Sequence, residues 1–356
     1  MFWITGSRTP WQTFSSSDRG DEVSVFLGDI PSENYDRMGF TKGLIEYIDN
    51  ENAWLVGTDR GELFLFDNDG KQIWKRSLGI GKLVSMCVSH DEKIACIGEQ
   101  SPSGNLYAID IAGGDILWKF AAANVVGAEP AKRSYPSIVH ICIDQNDNVY
   151  ANAYRFVTAK DGSRGYNGKA VSFNKNGDQL WQFPQNENID SWINWCDVND
   201  NNGKVVLSTS AYEIRPDMKY RDTMYLINKE TGQLINSVDV LPVAPFENTV
   251  MRGSPNFSAN GEFLAASCSD GRGLLFDAAG KALWQRELSK PAQIDNVWIN
   301  ASGRDGFAVD AGVIFTTINT FNRENWQLPT PVEHPSNNSM FVFNYDYKTT
   351  GTIESL

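Results

Sequence analysis

The sequence predicts an all-β protein, a single β-propeller built of four-stranded antiparallel blades. Two repeats carry this prediction. An apolar run ending in Asp or Asn occurs six times, and the first five are followed by a short Gly turn and a second strand, usually marked by Trp. No segment sustains helical periodicity over three turns, which removes the mixed classes.

The apolar runs are LFLFD ending at Asp67, LYAID at Asp110, AVSFN at Asn174, MYLIN at Asn228, LLFDA around Asp277 and MFVFN at Asn344. Their turns read NDG, IAGG, KNG, KETG and AAG. Trp74, Trp118, Trp181 and Trp284 then stand 7, 8, 7 and 7 residues after the Asp or Asn, and Ile235 takes the place in the fourth unit, 7 after Asn228. The same residue at the same place in successive repeats indicates packing between neighbours. These four Trp are therefore expected to be structural wedges and not an aromatic ligand box.

Each unit also has two strands upstream of this pair. The fifth reads SPNFSANGEFLAASCSDGRGLLFDAAGKALWQREL, in which short alternating runs are separated by turn signals, the mark of an antiparallel meander. Successive Trp places lie 44, 63, 54 and 49 residues apart. A four-stranded blade takes roughly 40 to 50 residues, so the longer spacings hold insertions.

The segment LYAIDIAGGDILWKF, Leu106 to Phe120, resembles the repeat of the quinoprotein-dehydrogenase-like (PQQ-like repeat) propellers. In that superfamily a strand ending in Asp, a Thr-Gly-type turn and Leu-Trp recur in every blade. LINKETGQLI is similar, and the fifth unit has WD40-like character through SANGEFLAASCSDGRGLLFD. The resemblance covers about residues 44–356 and implies the propeller architecture. A quinone dehydrogenase of this kind would be much longer and carry adjacent cysteines near its cofactor. This chain has neither feature, so a non-dehydrogenase member without a cofactor is expected.

Six repeats account for residues 44–356, and one propeller domain is expected over 1–356. Residues 1–43 hold the strand-like runs FWITG and EVSVFLGD. A propeller removes its open edge by letting terminal strands complete a blade. The N-terminal stretch is therefore assigned to completing or closing a blade. Seven blades are favoured, with six and eight as alternatives.

With strands a to d counted from the channel outward, reversal at each turn puts the a–b and c–d turns at one end of a blade. The b–c loops and d–a connections fall at the other. The first set is short: SHDEK, DQNDN, NDNNG, SANG and SGRDG for a–b, and the Gly turns for c–d. The second set holds the insertions, at b–c loops 154–168, 211–222 and 319–338 and at the d–a connection 121–136. Long loops in a compact repeat are usually functional or disordered, and the functional reading is taken here. The expected binding face carries Tyr154, Arg155, Arg164, Tyr166, Tyr212, Arg215, Tyr220, Arg221, Arg323 and Trp326. Tyr, Trp and Arg dominate protein interface hot spots. Arg133, Tyr135, His140, Asp190, Trp192, Asn194, Arg252, Asp295 and Asn296 are expected around the central funnel on the same side, to line a ligand pocket or to solvate the channel mouth.

Composition narrows the partners. Against 44 acidic residues stand 31 Lys and Arg, a formal net charge of −13, and no basic run occurs. A nucleic-acid backbone is a poor partner for such a chain. No apolar stretch approaches the roughly 20 residues of a membrane-spanning helix, so no membrane insertion is expected. The five cysteines, Cys87, Cys96, Cys142, Cys196 and Cys268, form no CxxC pair and lie in strand-like runs, which suits buried thiols in a reducing compartment. The N-terminus shows no basic and apolar signal-peptide pattern. A cytoplasmic location is expected, or an exported one if the start is processed or cloned.

The three histidines, His90, His140 and His334, have no metal-ligand spacing. The acidic turn 197–203 resembles a calcium loop, but an EF-hand would need Gly and Glu where Asn202 and Ser208 stand. Phosphate-binding and nucleophile-elbow motifs are missing. The expected function is that of a non-catalytic scaffold presenting its long-loop face to a protein partner. The alternative is an enzyme or small-ligand binder (a hydrolase, a lyase or a divergent cofactor binder) using the funnel, where Asp190 and Asp295 could meet as an acid/base pair.

Overall fold

A computed structural model describes residues 12–16, 22–26, 44–58, 60–79, 81–128, 135–158, 164–210, 223–247, 249–251, 253–294, 296–309, 312–318 and 339–345. The chain falls into two compact units. The first comprises Met1–Val149 with Asn174–Asp178, and the second comprises Tyr150–Phe173 with Gln179–Leu356.

In the first unit, β1 (Gln12–Ser16) and β2 (Glu22–Phe26) form an antiparallel pair. The second of the two expected N-terminal runs is thus a strand. Its partner is Gln12–Ser16 and not FWITG, which lies outside the described residues. The next sheet has the order β3 (Ile45–Ile48), β4 (Ala53–Gly57), β5 (Glu62–Asp67), β6 (Gln72–Ser77). The following four strands, β7 (Lys82–Val88), β8 (Ile94–Gln100), β9 (Asn105–Asp110) and β10 (Ile116–Ala121), pair in that order as part of a larger sheet. One helical turn, α1 (Ala123–Val126), leads towards β11 (Ser137–Ile143), which pairs with β8 through Ser137 and Gln100.

The second unit contains β12 (Val149–Thr158) from Tyr150 on, β13 (Arg164–Phe173) and β14 (Gln179–Phe183). Two four-stranded meanders follow. The first is β15 (Trp192–Asn199), β16 (Lys204–Ser210), β17 (Thr223–Asn228), β18 (Leu234–Asp239). The second is β19 (Asn256–Phe257), β20 (Phe263–Ser267), β21 (Arg272–Asp277), β22 (Ala282–Glu287). A two-stranded ribbon, β23 (Ala292–Ile294) and β24 (Val297–Ile299), precedes a sheet of β25 (Ser302–Val309), β26 (Gly312–Ile318) and β27 (Met340–Phe343). The fold class is the expected one: all-β, with four-stranded antiparallel meanders of the propeller-blade type.

Burial explains why strand c carries the sequence signal. In β5, Leu63 and Leu65 join Leu55, Leu83, Ile97 and Ile109 in one core, while Phe64 and Phe66 pack with Val56 on the opposite face. A strand covered on both sides reads as a continuous apolar run. The outer strand β6 is half exposed, so it carries one conspicuous Trp in a polar run. The same pattern recurs in the second unit, where Leu274 and Phe276 of β21 enter one core and Leu275 another.

Two sequence expectations need correction. The SGRDG segment, expected to be the a–b turn of the sixth repeat, lies inside β25, opposite β26. Its glycines serve close approach. A Cβ on Gly303 would lie 2.8 Å from Cys268 O, and one on Gly306 would lie 2.9 Å from the Phe315 ring. The second correction concerns Ile235. Trp74 stands opposite Leu65, two residues before Asp67, and in the fourth repeat that register place belongs to Asn236, opposite Leu226. The reason is turn length. The Asp67 N–H donates to Lys71 O, four residues on, whereas that of Asn228 donates to Gln233 O, five residues on.

Candidate functional site

The two ends of each meander differ in what their residues are engaged in. At the a–b and c–d end, the Asp or Asn that closes strand c is the acceptor for its own turn. Asp67 Oδ1 accepts from the Asp69 and Lys71 N–H groups at 3.0 and 2.8 Å, and Asp277 Oδ1 from Ala279 and Lys281 at 2.9 Å each. Short acidic side chains that bond their own backbone favour such turns. The Trp of each repeat then reaches the turn of a following one. Trp74 Nε1 donates to Ile111 O at 2.9 Å, Trp118 to Lys175 O at 2.9 Å, Trp181 to Lys229 O at 2.8 Å and Trp284 to Tyr345 O at 3.3 Å. Each acceptor is the residue after the turn-forming Asp or Asn.

The turn glycines fit against these rings. A Cβ on Gly177 would lie 2.7 Å from Trp118, and one on Gly232 would lie 2.7 Å from Trp181, with φ of +88° and +68°. Only glycine tolerates both demands. In the fourth repeat Asn236 supplies the contact, its Nδ2 donating to Ala279 O at 2.8 Å. This end is therefore engaged in joining repeats.

At the opposite end the chain departs from the strands. Among the b–c connections of the second unit, 12 residues separate β16 from β17 and 21 separate β26 from β27, whereas Cys268–Gly271 link β20 to β21 by a tight hydrogen-bonded turn. The residues expected on the long-loop face divide accordingly. Tyr212, Arg215, Tyr220 and Arg221, with Arg323 and Trp326, lie outside the described residues. Arg164 opens β13, with its side chain outside them as well.

The remaining three correct the expectation of a loop over 154–168. Tyr154, Arg155 and Tyr166 are strand residues, and only 159–163 remain between β12 and β13. Tyr154 and Tyr166 are buried. Tyr154 packs 5.5 Å from Trp192 and 5.7 Å from Phe156, whose ring is 5.1 Å from Tyr166. The alternation Tyr154, Phe156 reads as a strand with one aromatic face, and that periodicity was the overlooked signal. Arg155, on the other face, is half-buried.

Of the funnel residues, Arg133, Arg252 and Asp295 lie outside the described residues, so the Asp190–Asp295 pair does too. Asp190 Oδ1 accepts from the Tyr166 N–H at 3.2 Å, and Asn194 Nδ2 donates to Ser210 Oγ at 2.5 Å. Trp192 and Asn194 are buried on β15, while Tyr135, just before β11, and His140, within it, are half-buried. Asn296 was expected around the central funnel. It lies in the tight turn of the β23–β24 ribbon, with φ +64°.

Sequence reasoning missed a set of polar residues five places before the turn-forming Asp or Asn. They are Glu62, Asn105, Lys169, Thr223 and Arg272, all on strand c; four open their strands, and Lys169 lies midway along the longer β13. Glu62 pairs with Lys75 at 2.6 Å. Asn105 Nδ2 donates to Glu99 Oε2 at 2.6 Å, and the Tyr107 hydroxyl lies 2.8 Å from Leu78 O and 3.1 Å from the same carboxylate. Burial, and then the Glu99 charge, hold the Tyr107 hydroxyl well above the ordinary tyrosine range. Thr223 Oγ1 donates to Asp239 Oδ1 at 2.8 Å. Arg272 contacts Asp270 at 2.7 Å, Gln285 Oε1 at 2.8 Å and Leu241 O at 2.5 Å.

Lys169 is the most enclosed of these by backbone. Its Nζ donates to Pro184 O at 2.5 Å, Glu187 O at 2.7 Å and Gln185 O at 3.4 Å, which uses all three ammonium protons. Burial lowers its pKa, and the Glu187 carboxylate opposes that shift. A fixed polar place within an apolar run was legible in the repeat, but its residue type changes each time. Among the described residues, no group of three or more His, Cys, Asp or Glu is placed to hold a metal, and no helix is long and apolar enough to cross a membrane.

The profile of the PQQ_2 family, described as Outer membrane protein assembly factor BamB, matches residues 8–240. The chain belongs to this family. Membership agrees with the PQQ-like repeat in the sequence and with the antiparallel blades. Among solved structures, BamB from Moraxella catarrhalis is similar, with a TM-score of 0.48 and 15% identity over 76% of this chain and 71% of that chain. No curated protein sequence matches the chain. The BamB-family profile ends at residue 240, so the repeats around Asp277 and Asn344 extend beyond it.

Proposed function

We propose that this BamB-family chain is a non-catalytic propeller that serves as a scaffold or adaptor in protein assembly. Its b–c end meets the partner. The observation that carries this reading is the segregation of connection lengths. Turns at one end of the meanders are short and tied to neighbouring repeats, and the insertions 211–222 and 319–338 both leave from the other end of their sheets. Those insertions contain Tyr212, Arg215, Tyr220, Arg221, Arg323 and Trp326, residue types that anchor protein interfaces. The family description, an assembly factor, supports a protein as the partner.

The test is to replace 211–222 and 319–338, singly and together, by short Gly-containing turns. The proteins that co-purify with each variant from the native cell are then quantified against the intact chain. Partner recovery is expected to fall at least tenfold in the double replacement while the thermal midpoint changes little. Equal recovery with both insertions shortened would refute the proposal.

A further inference from the structure

Cys87 and Cys96 are far from forming a CxxC pair in sequence, yet β7 and β8 place them directly opposite each other. Both are thiols. The Ser89 N–H donates to Ile94 O at 2.8 Å, which makes Ser89 and Ile94 a hydrogen-bonded pair. Two residues further along each strand, Cys87 and Cys96 belong to the same class, since the two classes alternate. Such pairs have Cα atoms about 5.5 Å apart with both side chains on one face of the sheet. A disulfide spans Cα separations of roughly 4.4 to 6.8 Å. The register therefore places the two Cα atoms within the span a disulfide bridges.

The two thiols differ in access. Cys96 is fully buried, and Cys87 is partly exposed. Burial, with the neighbouring Cys87 and Asp147, pushes the Cys96 thiol up and keeps it protonated. A reagent from solvent therefore meets Cys87 first.

We propose that Cys87 and Cys96 form a thiol–disulfide exchange site that takes small-molecule disulfides and converts the β7–β8 hairpin between an open and a covalently closed form. The Cys87 thiolate attacks one sulfur of R–S–S–R, forming the Cys87–S–S–R bond and releasing R–S⁻. The Cys96 sulfur then gives up its proton and displaces the second R–S⁻, forming the Cys87–Cys96 bond. Two protein thiols are oxidised, one small disulfide is reduced to two thiols, and the two protons end on the released sulfurs. Cys96, opposite Cys87 in the register, is the residue placed to resolve the mixed disulfide.

The folded full-length protein is incubated with oxidised glutathione, quenched with acid, and its remaining thiols are counted after denaturation and peptide mapping. The expected result is a fall from five thiols to three, with Cys87 and Cys96 joined, no lasting adduct, and full reversal by dithiothreitol. In Cys96→Ser the expected product is a stable glutathione adduct on Cys87, and in Cys142→Ser the bridge still forms. Five thiols remaining in the wild type would overturn the proposal. So would a persistent Cys87 adduct in the wild type, or a bridge that involves Cys142.

Discussion

Asn236 donates its side-chain amide to Ala279 O at 2.8 Å, in the register place where four other repeats present an indole. The two solutions should differ in energetic weight. Trp181 is buried, and its loss removes both a large apolar surface and a hydrogen bond to Lys229 O. Trp181→Ala is expected to destabilise by about 3–5 kcal/mol. Asn236 is exposed, so Asn236→Ala should cost about 0.5–1 kcal/mol. Urea denaturation of the two variants checks the contrast, and comparable losses would contradict it.

Gly232→Ala tests the fit of turn against ring. The substitution imposes a side chain at φ +68° and brings a Cβ to 2.7 Å from the Trp181 indole. A loss on the order of 1–3 kcal/mol is expected from the backbone alone, with overpacking added. In a Trp181→Ala background only the backbone part should remain, so a double-mutant cycle should show a coupling of at least about 0.5 kcal/mol.

Lys169→Met removes the three ammonium donors and leaves the carbonyls of Pro184, Gln185 and Glu187 without them. The expected cost is about 1–3 kcal/mol. Hydrogen exchange should localise it. Amides in 184–191 should lose protection while those of β15 and β16 keep theirs, and a uniform loss would argue against local control.

Tyr107 gives a pH signature. Its hydroxyl is held above the ordinary range in the folded chain, so the unfolded chain loses its proton first. The contribution is therefore fully present below the unfolded tyrosine value, about 10, and is lost as pH rises above it. The stability difference between wild type and Tyr107→Phe should be constant from neutral pH to that point and shrink beyond it. Denaturant midpoints measured across this range decide the matter, and a difference that grows with pH would reverse the sign.

The blades were legible in the sequence because strand c is buried on both faces and its closing Asp or Asn bonds its own turn. Both constraints act on neighbouring residues. Ile235 was misplaced because a turn one residue longer shifts the register without changing the apolar pattern. Loop 154–168 was overestimated because Arg155 and the run from Lys160 to Arg164 look polar, while the aromatic alternation of Tyr154 and Phe156 continues the strand. The pairing of Cys87 with Cys96 depends on the hairpin register, which no spacing rule for cysteines contains.

The Trp-and-glycine contacts are nearly interchangeable from repeat to repeat, and interchangeable joints leave a folding chain with several partners for each edge. The place five residues before each turn is occupied by five different residues: a glutamate, an asparagine, a lysine, a threonine and an arginine. Each has its own counterpart: Lys75, Glu99, the carbonyls of 184–187, Asp239 and Asp270. A strand docked in a neighbour's place would bury a charge or a donor opposite the wrong group. These contacts lie inside single repeats, so each of the five keeps its own strand c by a pairing the others do not offer, beside the joints that hold repeats together.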